Sequence, residues 1–322
     1  MPAVDEFALI EKILKPCAGR RTDVLLGIGD DGAMVQPPVG EALVVVVDTL
    51  VEGVHFPPSL LPADLGYRAL AVNLSDIAAM GATPRWATLA LTMPVAREEW
   101  LRAFATGLQA GLAAHDVALI GGDTTRGPLT ITIQLIGSVP PGLALLRRGA
   151  REGDAIYVSG TLGDAAAGLA CMQREEARNA AADFLVARFA RPTPRVALGR
   201  ALRGIATSCI DISDGLIADL GHLARLSGCG ALLEAALLPL SDALCAAVPR
   251  TDALAYALSG GDDYELCFSI PLNRAQMLER TLGAHHPLRQ VGVFTATRGE
   301  VAVIDENGHA LALARAGFRH FE

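Results

Sequence analysis

The apolar residues of this chain change period repeatedly, and each change marks an element. Val44, Val45, Val46 and Val47 form an unbroken β-branched run that reads as a buried strand ending in Asp48. Gly53, His55 and Phe56 follow in a loop, and Pro57 and Pro58 bar further regular structure. Earlier, Phe7, Ile10, Ile13 and Leu14 recur at helical steps and predict a helix over 5–14, and 23–28 reads as a short extended piece. Pro62 opens a helix predicted over 63–80, on which Leu65, Ala69, Val72 and Asp76 share a face. A strand is expected over 87–93, a helix over 97–115, and a strand over 117–120 that delivers Asp123 at its tip. Over 129–137, Thr130, Thr132 and Gln134 alternate with Ile131, Ile133 and Leu135, as in a strand with one polar face.

Pro140-Pro141-Gly142 and the string R-R-G-A-R-E-G-D (147–154) interrupt this pattern. They divide the chain into two domains, 1–145 and 146–322, each of ordinary domain size. In the second, the pattern predicts a strand over 155–158 and a helix over 164–172, with helical segments flanking R-P-T-P (191–194). Cys209 and Ile210 lead to two acids, Asp211 and Asp214, and a helix runs on to about residue 226. Gly260-Gly261-Asp262-Asp263 precedes a strand over 264–270, and a helix, two short strands and a tail complete the chain.

Composition narrows the chemistry. Apolar residues make up 51% of the 322 and aromatics only 5%, so the cores are built from Ala, Val, Leu and Ile. No stretch of about 18 uncharged apolar residues occurs, which excludes a membrane helix. The start, M-P-A-V-D-E-F, lacks the basic-then-apolar pattern of a secretory signal. Six cysteines without C-x-x-C spacing read as free thiols, which gives a cytoplasmic expectation. A net charge of −8 argues against a nucleic-acid partner. Lys12 and Lys15 are the only lysines, so a phosphate site elsewhere must neutralise charge with metal ions, Arg and backbone N–H groups.

Gly27-Ile28-Gly29-Asp30-Asp31-Gly32 formally matches G-x-G-x-x-G, yet two aspartates lie where a pyrophosphate would sit. Pro37 and Pro38 also cut off the helix that a dinucleotide fold requires. Acids there make sense with a divalent cation between them and a phosphate. Singly, each acid has an ordinary reading: Asp30 and Asp31 as turn residues, Asp48 and Asp123 as helix caps, Asp76 as a surface acid, His55 as a packed loop residue. Together with Asp211, Asp214 and Asp262 they form an oxygen-only set, which suits Mg²⁺ or Mn²⁺ over zinc. So many acids serving one site need several cations, and Mg²⁺ with phosphates implies ATP-dependent phosphoryl transfer.

Six strings carry a resemblance that spans the chain in order: G-I-G-D-D-G-A (27–33), D-T-L-V-E-G-V-H-F (48–56), N-L-S-D-I-A-A-M-G-A (73–82), G-G-D-T-T (121–125), D-I-S-D-G-L (211–216) and G-G-D-D-Y-E-L (260–266). They resemble the thiamine-monophosphate kinase family, within the superfamily of aminoimidazole ribonucleotide synthetase. The resemblance implies an α/β first domain whose sheet pairs into a barrel across a homodimer, and an α+β second domain. It implies ATP and several Mg²⁺ ions in a cleft lined by the acids, with thiamine monophosphate as acceptor. By position, the metal ligands are Asp31, Asp48, Asp76, Asp123, Asp211 and Asp214, and the nucleotide contacts are Gly122, Asp123, Arg147 and Ser213. The contacts to thiamine phosphate are His55, Asp262 and Phe318. The chain departs from the family pattern at Val46 and Val47, where hydroxyl residues are usual, and at Asp262, where Glu is usual.

The acceptor implied is a phosphate that is already ionised, so the transfer needs neither a general base nor a covalent enzyme intermediate. Two other readings stand beside this one. A selenophosphate synthetase needs a reactive Cys in a basic N-terminal loop, and Cys17 lies beside Ala18-Gly19-Arg20; a hydrogenase-maturation relative needs a C-terminal cysteine, and this chain ends R-H-F-E. A nucleotide-binding relative without catalysis would account for Val46 and Val47.

Overall fold

The computed structural model describes residues 10–19, 21–174, 179–311 and 317. The chain divides into two units, Met1–Ile77 with Ala82–Gly142, and Ala78–Gly81 with Leu143–Glu322.

The first unit begins, among the described residues, with a single π-helical turn at Ile10–Leu14 and a 3-10 turn at Lys15–Ala18. The rest of the helix expected over 5–14 lies outside the described residues. Strand β1 (Val24–Leu26) pairs with β2 (Met34–Val35), so the Gly27–Gly32 loop leads into a strand. Then come β3 (Ala42–Val51), α1 (Pro62–Ala79), β4 (Thr83–Met93), α2 (Glu98–Ala114), β5 (Ala118–Arg126) and β6 (Thr130–Val139). Four strands form one sheet in the order β3-β6-β4-β5, with β4 and β5 parallel and the other pairs antiparallel.

Alternation along β3 sorts its side chains. Val44 and Leu50 are buried on one face, and Leu43, Val45 and Val47 are exposed on the other. Helix α2 buries the stripe Leu101, Phe104, Ala105, Leu108 and Leu112 at three- and four-residue steps. It meets α1 at unusually close range through two glycines. A Cβ on Gly107 would lie 1.7 Å from the Ala63 carbonyl oxygen, and one on Gly66 would lie 2.1 Å from that of Phe104. The conformational entropy lost by a helical glycine, about 0.5–1 kcal/mol relative to Ala, is the cost of that contact.

Strand β4 starts at Thr83 and not at Ala87, and two strands run past the acids expected to end them. Asp48 was expected at a strand end, but β3 continues to Val51 and stays paired with β6 down to Thr130. The β-branched Thr49 and Val51 carry the ladder past the acid. Likewise β5 runs on to Arg126, so Asp123 stands inside an edge strand and not at its tip. A register shift opposite Ala87/Thr88 absorbs one residue of β5 just before the glycines.

The second unit comprises β7 (Asp154–Ser159), α3 (Asp164–Gln173), α4 (Ala180–Ala190), α5 (Val196–Ala201), β8 (Ser208–Asp211), α6 (Leu216–Ser227) and β9 (Gly230–Glu234). It continues with α7 (Asp242–Ala247), α8 (Arg250–Ser259), β10 (Leu266–Pro271), α9 (Ala275–Thr281), β11 (Leu288–Thr295) and β12 (Val301–Ile304). The sheet order is β12-β9-β11-β7-β10-β8, and only the β12–β9 pair is parallel. This mainly antiparallel sheet with helices is the α+β class. Every residue of β7 is buried, and Tyr157 stacks on Phe268 of β10 at 5.7 Å. The strand expected from Tyr264 starts instead at Leu266, because Tyr264 takes a positive φ of 51° that no strand ladder accommodates.

Candidate functional site

In the first unit the structure brings Asp48 and Asp76 together. Asp48 lies on the same β3 face as Val44 and Leu50, the buried one. Asp76 lies on α1 within a largely buried stretch, and the two carboxyl groups are hydrogen-bonded. Two hydrogen-bonded carboxyls cannot both be ionised, so the pair holds a shared proton when no cation is present. Burial pushes the Asp48 carboxyl up, and the hydrogen bond with Asp76 works against that rise. A divalent cation could replace the shared proton, and the hard oxygen donors fit Mg²⁺.

Val46 shares the face of Asp48, whereas Val47 points to the opposite face and pairs with Gln134. Gly122 stands in the same cross-strand row as Asp48, through Ile133 and Leu89. Its backbone approaches so closely that a Cβ there would lie 1.9 Å from the Leu89 carbonyl oxygen. Asp123 is exposed one position further along β5. Gly122 and Asp123 line a small cavity of about 50 Å³ with Leu89, Leu119 and Ile28. Ile28 and Leu119 also wall a larger open cavity of about 440 Å³ that includes Lys15, Arg21, Thr22 and Gly27. Arg21 there is held by Asp23 at 2.7 Å and Asp116 at 2.6 Å.

Asp31 is exposed in the glycine-rich loop, and its N–H donates to the Asp30 carboxylate at 2.9 Å. His55 follows β3, and its Nδ1 accepts from the Val51 N–H at 3.0 Å. That bond sets the neutral ring as the tautomer protonated at Nε2.

In the second unit Asp211 is buried at the end of β8, and Ser213 and Asp214 follow in the loop before α6. This loop is bonded to the one that carries Asp262: the Asp262 N–H donates to the Ser213 carbonyl and the Tyr264 N–H to the Ile212 carbonyl, both at 2.9 Å. Asp262 has a φ of 70°, a conformation Asp tolerates better than most residues, and it accepts from the Tyr264 hydroxyl at 3.1 Å. Arg147 is exposed, and both it and Asp214 act electrostatically on His222. Burial and the Arg225 and Arg147 guanidinium groups lower the His222 imidazole, and Asp214 opposes them. Phe318 lies outside the described residues. Among the described residues no three His, Cys, Asp or Glu side chains gather into one metal cluster.

Three acids beside these loops escaped the sequence reading. Asp219, in the first turn of α6, is held up at about 8 by burial and then by the charges of Asp211 and Asp214. Asp263 accepts from the N–H groups of Gly163 and Ala165 at the start of α3, and burial raises its carboxyl. Glu265 is fully buried and bound by Arg195 at 2.6 Å, Arg188 at 2.8 Å and the Ser159 hydroxyl at 2.5 Å. The one available signal was spacing: Asp219 follows Asp214 by five positions, so it falls in the first helical turn behind the loop.

The family model for the AIR synthase related protein, N-terminal domain, matches residues 29–139, and that for the C-terminal domain matches 151–305. The thiamine-monophosphate kinase of Escherichia coli (strain K12) is 50% identical over 323 residues, covering 99% of both chains. The crystal structure of thiamine-monophosphate kinase from Stenotrophomonas maltophilia K279a superposes with a TM-score of 0.87 at 47% identity, covering 96% of this chain and 98% of that one. A structure of AaThiL complexed with AMPPCP and TMP gives a TM-score of 0.78 at 33% identity, covering 98% and 97%. With both domain models matched and half of all positions shared over the full length, this chain belongs to the thiamine-monophosphate kinase family.

Proposed function

We propose that the chain transfers the γ-phosphoryl group of ATP to the phosphate of thiamine monophosphate, forming thiamine diphosphate and ADP by direct in-line transfer. The observation that carries this reading is the hydrogen-bonded pair Asp48–Asp76, a site of two acids on a rigid strand and helix that invites a divalent cation. Mg²⁺ is ordinarily held by one or two carboxylates and completed by substrate phosphates, so paired acids suit it better than a closed protein cage. When bound, it screens the repulsion between two polyanions and neutralises charge on the transferring group.

The proposed metal ligands are Asp31, Asp48, Asp76, Asp123, Asp211 and Asp214. Gly122, Asp123, Arg147 and Ser213 take the nucleotide, and at Gly122 the backbone lies so close to the Leu89 carbonyl that no side chain fits there. The 440 Å³ cavity beside this strand is of a size to hold a nucleotide base or ribose. His55, donating from Nε2, and the Asp262 carboxylate take thiamine monophosphate with Phe318; a carboxylate complements the positive charge of a thiazolium ring. The acceptor phosphate is its own nucleophile, so these residues bind and align and none serves as a base.

The reading extends to assembly and place. Leu43, Val45 and Val47 are 48%, 55% and 60% exposed in a row on edge strand β3, an apolar strip that a second copy of the sheet would cover. The free cysteines and the use of ATP support a cytoplasmic location. No helix among the described residues is long and apolar enough to cross a membrane.

The test is to incubate the protein with ATP, Mg²⁺ and thiamine monophosphate and to separate the thiamine esters. Thiamine diphosphate formed in equal amount to ADP is the expected result. ADP release without the diphosphate, or no turnover, ends the reading.

A further inference from the structure

Asp219 belongs to none of the ligand sets above, yet it organises the loop that carries two of their members, Ser213 and Asp214, just after a third, Asp211. Its side chain is buried in the first turn of α6. One oxygen, Oδ2, accepts from the backbone N–H groups of Ser213 at 3.0 Å, Asp214 at 3.0 Å and Gly215 at 3.2 Å. Three N–H groups converging on one oxygen fix the backbone between them, and that oxygen accepts whether or not the other one carries a proton. On its carbonyl side the same segment is tied down by the Asp262 and Tyr264 N–H groups at Ser213 and Ile212. There is no slack on that side either, since a Cβ on Gly261 would lie 2.2 Å from the Ser213 carbonyl oxygen.

The same geometry uses up donors. N–H groups at the start of a helix are ordinarily ready to take a phosphate. Here the N–H groups of the loop just ahead of α6, Ser213 to Gly215, already serve the chain's own Asp219 side chain. An incoming phosphate therefore meets this loop through the side chains of Asp211, Ser213 and Asp214, and carboxylates accept a phosphate only through a cation.

We infer that Asp219 is a positioning residue: it locks the Ser213–Gly215 backbone so that Asp211 and Asp214 keep a fixed spacing for cations, and it reserves the loop for cation-bound phosphate. This rests on the reading of Asp211 and Asp214 as metal ligands. Asp219→Ala removes the acceptor; Asp219→Asn keeps an accepting oxygen of the same reach on a side chain that cannot ionise.

Three measurements on the full chain separate this role from a merely structural one: Mn²⁺ binding by electron paramagnetic resonance with AMPPCP present, amide exchange of residues 213–215 without metal, and thermal melting. Asp219→Ala is expected to weaken Mn²⁺ binding by about 10–100-fold, as loss of a supporting residue around a metal commonly does. Its loop amides should exchange faster, and Asp219→Asn should fall between it and wild type in both readouts. If Asp219→Ala does not fold, the same comparison is made between Asp219→Asn and wild type. A folded variant with wild-type Mn²⁺ affinity, or with unchanged exchange at the loop, overturns the inference while leaving the metal reading intact. Wild-type protein that binds no Mn²⁺ with the nucleotide overturns the metal reading, and this inference with it.

Discussion

The two carboxyls of Asp48 and Asp76 make the most specific claim at the scale of single residues. In Asp48→Asn an amide replaces one acid, so the hydrogen bond to Asp76 survives without a shared proton, while one of the proposed metal ligands is weakened. Turnover should fall by about a hundredfold or more with the melting temperature unchanged or raised, a loss of the size seen when one electrostatic partner is removed from a transition state. Wild-type turnover in Asp48→Asn would reduce the pair to a structural contact. Asp262 makes a second, smaller claim. Its φ of 70° suits Asp, and a Glu there, although usual in the family, has a longer side chain that supports this backbone less well. Asp262→Glu should therefore destabilise the fold by roughly 0.5–1 kcal/mol, read from the denaturant midpoint, even where it improves the Michaelis constant for the thiamine phosphate. A stabilised variant would contradict the backbone argument.

At the scale of elements, long amphipathic segments were legible and short dense ones were not. The stripe of α2 and the proline-led start of α1 announced themselves because their period and their caps agree. Strand ends were misread because an aspartate after valines looks like a stop, whereas β3 and β5 carry theirs inside a paired ladder. Strand β9 has only five residues, and the Ala- and Leu-rich segments of α7 and α8 have too little polar contrast to reveal a period. The acids of the site were visible as motifs, but Asp219 was not, because a polar residue in the first turn of a helix is ordinary. The α1–α2 crossing also had no sequence signature beyond its glycines. Gly107→Ala would force a methyl against the Ala63 carbonyl, so it should cost at least about 2 kcal/mol by overpacking. A melting temperature equal to that of wild type would show that the helices separate freely.

For the whole molecule, raised carboxyls link stability to pH. Burial lifts Asp48, and burial with neighbouring charge lifts Asp219 to about 8. Both hold protons more tightly folded than unfolded. Their contribution is complete below about pH 4, the ordinary carboxylate value, and is lost as pH rises toward those raised values. The metal-free protein should therefore melt at a lower temperature near about pH 8.5 than near about pH 6, and Mg²⁺ with a nucleotide should flatten the decline by replacing the proton at Asp48 and neutralising the Asp211 and Asp214 charges that help to lift Asp219. Melting that rises over that window would contradict the assignment. The most direct measurement of the central claim is anomalous diffraction from crystals grown with Mn²⁺, AMPPCP and thiamine monophosphate. Manganese peaks within coordination distance of both Asp48 and Asp76, and of Asp211 or Asp214, with phosphate oxygens completing each ion, are the expected result. Peaks found only on the nucleotide, with these aspartates making no contact to any ion, would contradict it.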